Sequence, residues 1–308
     1  MFVPPRISTL RTSLGASMLL VGTLCVPTLA SAYVPSTSND SLKPLRWTHS
    51  NCVIMRPNSK GSADINDGSD VQAVFRSADR WRSASESCSY IRFVMEEASP
   101  DAEAEFRQGE ANENVITWVE DGWRDVLGHD PQAAGLTTVF FVDSPGSSRD
   151  GKILDADIEL NGEYFRFSAG EVGVKGRMDV ENTVVHEMGH VLGLDHPCDD
   201  GLRSPTPKDH LGETIPKCSS SLPQELLDRT MYNFADQGEV KKRTLEADDI
   251  LGICSTYPKA DDPGVCGPVA VVDDGCSVGP GPFASRPFVG TLLALFALIL
   301  LARCRRRA

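Results

Sequence analysis

The 308-residue chain carries 43 acidic and 30 basic side chains, a formal charge of −13 and a sequence pI near 4.9. Residues 1–32 and 286–308 hold seven arginines and no acid, so the remaining residues 33–285 carry −20. A field of that sign repels phosphate backbones and excludes nucleic acid as a partner, and the length allows one large domain or two small ones.

Arg6 and Arg11 precede an apolar run from Leu14 to Leu29 and the small-residue pattern Ala30-Ser31-Ala32. Together they predict a secretory signal peptide over residues 1–32. Residues 33–43 are polar and expected to be disordered, and the folded domain is expected over residues 44–258. Val53–Met55 reads as a first strand. Ser69 opens a helix, because Ser69-Asp70-Val71-Gln72 fits a capping box and Val71, Val74, Phe75, Ala78 and Trp81 recur at helical spacing. Tyr90–Met95, Asn114–Val119 and Thr137–Val142 read as further strands, and a loop follows over Asp143–Gly151. From Leu154 onward the sequence alternates, placing Asp155, Asp157 and Glu159 on one strand face. Spaced carboxylates suit Ca²⁺, and a solvated strand face accounts for them equally well.

Asp179 is placed to cap the next helix, which carries His186-Glu187-Met188-Gly189-His190-Val191-Leu192-Gly193-Leu194-Asp195-His196. His186 and His190 are four apart, so they share one helical face and can grip one ion. Gly193 can take a positive φ, end the helix and return the chain so that His196 supplies a third nitrogen. Three neutral nitrogens with an open fourth position describe a catalytic zinc site. Glu187 beside them is suited to take a proton from metal-activated water during attack on a peptide carbonyl. Three His, one Glu and one Gly at these offsets arise by chance in roughly one chain of this length per hundred thousand.

A Pro-, Ser- and charge-rich insertion follows, then Met231-Tyr232, and then a final helix within Leu245–Tyr257 that ends at Pro258. Residues 259–286 are a Pro/Gly/Asp-rich linker containing Cys276; residues 287–302 form a short apolar helix and residues 303–308 a basic tail. That helix is a marginal membrane span. Six cysteines of the exported part, Cys52, Cys88, Cys198, Cys218, Cys254 and Cys266, imply three disulfides in an oxidising compartment. Sequence does not fix the pairing among the 15 possibilities; proximity along the chain favours Cys52–Cys88, Cys198–Cys218 and Cys254–Cys266.

Residues from about 44 to 258 resemble a matrixin-type metzincin catalytic domain. The long histidine motif, the Met231-Tyr232 turn and the Leu245–Tyr257 segment carry the match, in the family's order. The resemblance implies an α+β fold, a twisted mixed sheet with an active-site helix, a backing helix and a C-terminal helix. It implies Met231 as the base beneath one catalytic zinc, a bound calcium near the acidic strand, and a secreted or surface-anchored monomeric endopeptidase acting on proteins or peptides. A rival reading keeps the same scaffold as a non-catalytic surface-binding or adhesion module, and another directs a zinc hydrolase at cell-wall peptides. Among the six histidines none lies within Asp143–Leu160, so the family's structural zinc is not expected; Asn233 replaces the family's frequent proline, and no cysteine-switch segment precedes the domain. The Cys276 motif, apolar helix and arginine cluster resemble the C-terminal sorting signals of myxobacterial surface proteins. That likeness implies a Gram-negative bacterial origin and attachment at the outer surface, or a membrane anchor.

Overall fold

The structure is a computed structural model that describes residues 32–267 and 278–280. The expected signal peptide up to residue 31, the Cys276 motif, the expected apolar helix over 287–302 and the basic tail lie outside the described residues. Among the described residues no helix is long and apolar enough to cross a membrane.

In chain order the elements are β1 (Val34–Pro35), β2 (Cys52–Pro57), α1 (Ser69–Ser85), β3 (Arg92–Met95), β4 (Asn114–Val119), β5 (Gly135–Val142), β6 (Ile153–Asn161), β7 (Phe167–Ser168), β8 (Met178–Asp179), α2 (Val180–Val191), β9 (Leu194–Asp195), α3 (Gln224–Leu227), α4 (Ala247–Thr256) and β10 (Val278–Pro280). The main sheet runs β10-β5-β6-β4-β2-β3. β3, β2, β4 and β6 are parallel neighbours; β5 joins β6 antiparallel. This is an α+β fold with a mixed sheet. β10 meets β5 only at Phe140–Val142, which leaves the outer edge of β5 from Gly135 to Val139 without a strand partner among the described residues.

α1 returns the chain from β2 to its parallel neighbour β3 and backs α2. Trp81, fully enclosed, donates its indole N–H to Val185 O of α2 at 3.0 Å. The last carbonyls of a helix lack intrahelical donors. Here Trp47 Nε1 donates to Val191 O at 2.9 Å, and Tyr257 Oη donates to Leu192 O at 3.0 Å. The domain's first tryptophan and the end of α4 therefore meet at the terminus of the histidine-bearing helix. Every residue of α2 is buried, so its apolar residues serve the core while its polar ones must be satisfied inside.

Four expectations change. The start of α1 has no Ser69 cap: Gly68, at φ 76°, occupies the N-cap position, and Asp67 Oδ1 accepts from Ser69 N–H at 3.0 Å. Asp70, inside the expected box Ser69–Gln72, is buried and accepts from Ser62 N–H at 2.7 Å.

Residues 33–43 are ordered. Val34 and Pro35 pair with Asp195 and Leu194, and Ser36 adds bonds to Gly193 O at 2.8 Å and Leu194 O at 3.0 Å. The Ser36 hydroxyl and amide thus serve the backbone between His190 and His196, while residues 39–42 remain exposed.

The disulfides are Cys52–Cys266, Cys88–Cys254 and Cys198–Cys218, with Cα–Cα separations of 5.2, 5.3 and 4.9 Å. Only the last follows chain proximity. Tyr90 N–H donates to Tyr257 O at 3.0 Å and Asn51 N–H to Val265 O at 2.8 Å, so long-range pairing carries each cysteine to a distant partner. Residues 259–267 thereby belong to the fold rather than to a free linker.

The acidic strand is not a solvated face. β6 lies between β5 and β4, and Asp155 and Asp157 are 0% and 2% exposed.

Candidate metal centre

α2 begins at Asp179, whose Oδ1 accepts from Asn182 N–H at 2.8 Å while Arg243 Nε donates to the same oxygen at 2.8 Å. A carboxylate at this end also meets the positive pole of the helix. The i,i+4 spacing then places His186 and His190 side by side, with ring centroids 4.9 Å apart. At Gly193, φ is 83°, and a Cβ there would lie 2.3 Å from Leu45 O. Positive φ and close backbone approach both demand glycine. The turn brings His196 within 3.2 Å of His190, Nε2 to Nε2.

Each imidazole is oriented through its other nitrogen. His186 Nδ1 lies 2.7 Å from Thr230 O, His190 Nδ1 2.9 Å from Leu194 O, and His196 Nδ1 3.1 Å from Asp200 Oδ2. With Nδ1–H donating to these acceptors, the Nε2 lone pairs face one another. One ligand atom from each histidine falls within 4.8 Å of the others, and among the described residues no other group of three His, Cys, Asp or Glu side chains does so. Burial lowers the affinity of all three rings for a proton, and it drives His186 and His190 well below the usual histidine range. Neutral imidazole is the metal-binding form. The donor set and its outer hydrogen bonds fit a divalent metal ion such as zinc.

Glu187 is 5% exposed; burial pushes its carboxyl up to about 7, against a hydrogen bond from Thr137 and the nearby charge of Lys242. Thr137 Oγ1 lies 2.7 Å from Glu187 Oε2. Met231 packs directly against the helix between the first two histidines: a Cβ on Gly189 would sit 2.2 Å from its sulfur. Lys242, buried behind His186, donates to Tyr232 O and approaches His186 Nδ1 at 3.4 Å. The site opens into a cleft of about 1460 Å³ walled by Trp123, Leu136, Leu202 and Phe234, with Leu42 of the N-terminal segment also on its lining. Leu202 belongs to the 197–222 insertion, which Cys198–Cys218 closes and which Arg203 ties to Asp195.

Asp155, Asp157 and Glu159 form no comparable group. Asp157 Oδ1 accepts from Val115 N–H at 2.7 Å, Glu159 pairs with His129 at 3.1 Å, and Asp155 meets only the neighbouring carboxyl of Asp157. Three residues of the site escape a sequence reading. Asp200 leaves a faint trace, a carboxylate four residues past His196. Thr137 and Lys242 leave none, because they reach the site through tertiary contact from 50 and 56 residues away.

No family model matches the chain, and a search of curated proteins returns no match. Fold and site together define an α+β protein with a three-histidine group able to hold a metal ion.

Proposed function

We propose that the chain is a zinc-dependent endopeptidase with a matrixin-type metzincin domain, exported and held at the cell surface. One observation carries the reading. Three imidazole Nε2 atoms converge on the wall of an open cleft, with the carboxylate of Glu187 beside them and, alongside, a strand edge that has no strand partner among the described residues.

A bound zinc would supply Lewis-acid polarisation of a peptide carbonyl and a water that ionises near neutral pH. His186, His190 and His196 would hold it, kept neutral by burial and oriented through Thr230 O, Leu194 O and Asp200. Glu187, buried beside the histidines with Thr137 bonded to one oxygen, would accept a proton and later return it to the leaving amine. The edge at Gly135–Val139, without a strand partner among the described residues, suits an extended peptide, which would add to the sheet as a strand; β10 pairs with the neighbouring residues of the same edge in that manner. Leu136, Leu202 and Phe234 give the cleft apolar walls for side chains flanking the scissile bond.

Glu187→Ala is expected to keep one zinc per chain and lose hydrolysis of casein or gelatin. Equal turnover by wild type and variant refutes the mechanism. A wild type that binds zinc and cleaves no protein in zymography, with or without chelator, favours the binding-module reading. Three disulfides support export to an oxidising compartment, and N-terminal sequencing of the exported protein is expected to begin at Tyr33.

A further inference from the structure

We propose that β5 is the template that positions the Glu187 base, through the hydroxyl of Thr137 and the missing side chain of Gly135. This rests on the endopeptidase reading. Thr137 is fully buried on β5, and its Oγ1 reaches Glu187 Oε2 at 2.7 Å and Glu187 O at 3.2 Å. Two residues earlier on the same strand, a Cβ on Gly135 would lie 2.8 Å from Glu187 Oε1 and 3.0 Å from both Glu187 Cγ and Thr183 Cγ2. One oxygen is therefore anchored, and the other lies over the bare backbone of Gly135.

A glutamate side chain has three rotatable bonds, and nothing on α2 selects their setting. A hydrogen bond to one carboxylate oxygen and a space that only glycine leaves do so. The same residues 135–139 form the edge that a substrate strand would pair with. Pairing thus registers the scissile peptide against the strand that holds the base, and Thr137 acts as a positioning residue.

The test compares Thr137→Val, Thr137→Ser and Gly135→Ala with wild type as zinc-loaded full-length protein. The readouts are kcat and KM on a cleaved peptide, zinc content and melting temperature. Thr137→Val, isosteric but without the hydroxyl, is expected to lose roughly 10- to 100-fold in kcat with KM within about 3-fold, since misplacing a catalytic group by about 1 Å costs up to that much. Thr137→Ser is expected to recover most of the loss. Gly135→Ala, which keeps the hydroxyl, is expected to lose kcat comparably and decides the matter should Thr137→Val fail to fold. Wild-type kcat in folded Thr137→Val or in Gly135→Ala overturns the proposal and leaves the endopeptidase reading standing. A zinc-loaded wild type without hydrolytic activity overturns that reading and the proposal with it.

Discussion

Replacing Asp155 by asparagine isolates the cost of a buried charge. Asp155 is fully enclosed on β6 beside the buried carboxyl of Asp157, and burial pushes its own carboxyl from an ordinary value of 3.8 up to about 8, against a hydrogen bond from Asp157. A carboxyl whose folded pKa is raised is most compatible with the fold below its unfolded pKa. Stability is fully present under about pH 4 and lost as pH rises toward 8. Roughly four pK units at ~1.4 kcal/mol each set a ceiling of about 6 kcal/mol, and relaxation around the buried charge lowers the expected loss to about 2–4 kcal/mol. Asp155→Asn places a neutral amide in the same space. Guanidinium unfolding of both proteins with disulfides intact, from about pH 5 to 8.5, should show the variant gaining that 2–4 kcal/mol on wild type as pH rises. Parallel stability profiles would refute the argument. A Ca²⁺ arm at the alkaline end tests the calcium expectation: the gap closes only when an ion neutralises Asp155 and Asp157.

Gly193→Ala should destabilise the fold by about 2 kcal/mol or more and lower metal content, because both φ and the Leu45 carbonyl forbid a Cβ; differential scanning calorimetry and elemental analysis read the two effects. Asp200→Ala should weaken zinc binding about 10- to 100-fold in chelator competition, since it removes the carboxylate that orients His196. Cys88→Ser/Cys254→Ser should cost about 2–4 kcal/mol, and non-reducing peptide mapping of wild type should recover Cys52–Cys266 and Cys88–Cys254 linked peptides. Recovery of a Cys52–Cys88 peptide instead would contradict the fold.

The strands at Val53–Met55, Asn114–Val119 and Thr137–Val142, and the helix bearing Val74, Ala78 and Trp81, were legible because local periodicity reports which side is buried. Alternation misled at Asp155 and Asp157: it gives the period of a strand but not whether a neighbouring segment covers the polar face, and here Glu105 bonds to Asp157 through its backbone while Phe106 stacks on Phe140, the cross-strand partner of Asp155. Polarity misled at residues 33–43, where serine and backbone groups are spent on pairing with β9.

The convergence of the histidines was written into the chain. An i,i+4 pair on a helix and a glycine able to turn back three residues later are short-range geometry, settled by backbone stereochemistry alone. Tertiary structure alone decided what surrounds them: Thr137 on Glu187, Lys242 behind His186, and cysteines joined across 214 and 166 residues. Such contacts depend on how sheet and helices pack, and no local pattern encodes a meeting between residues that only the folded core brings together.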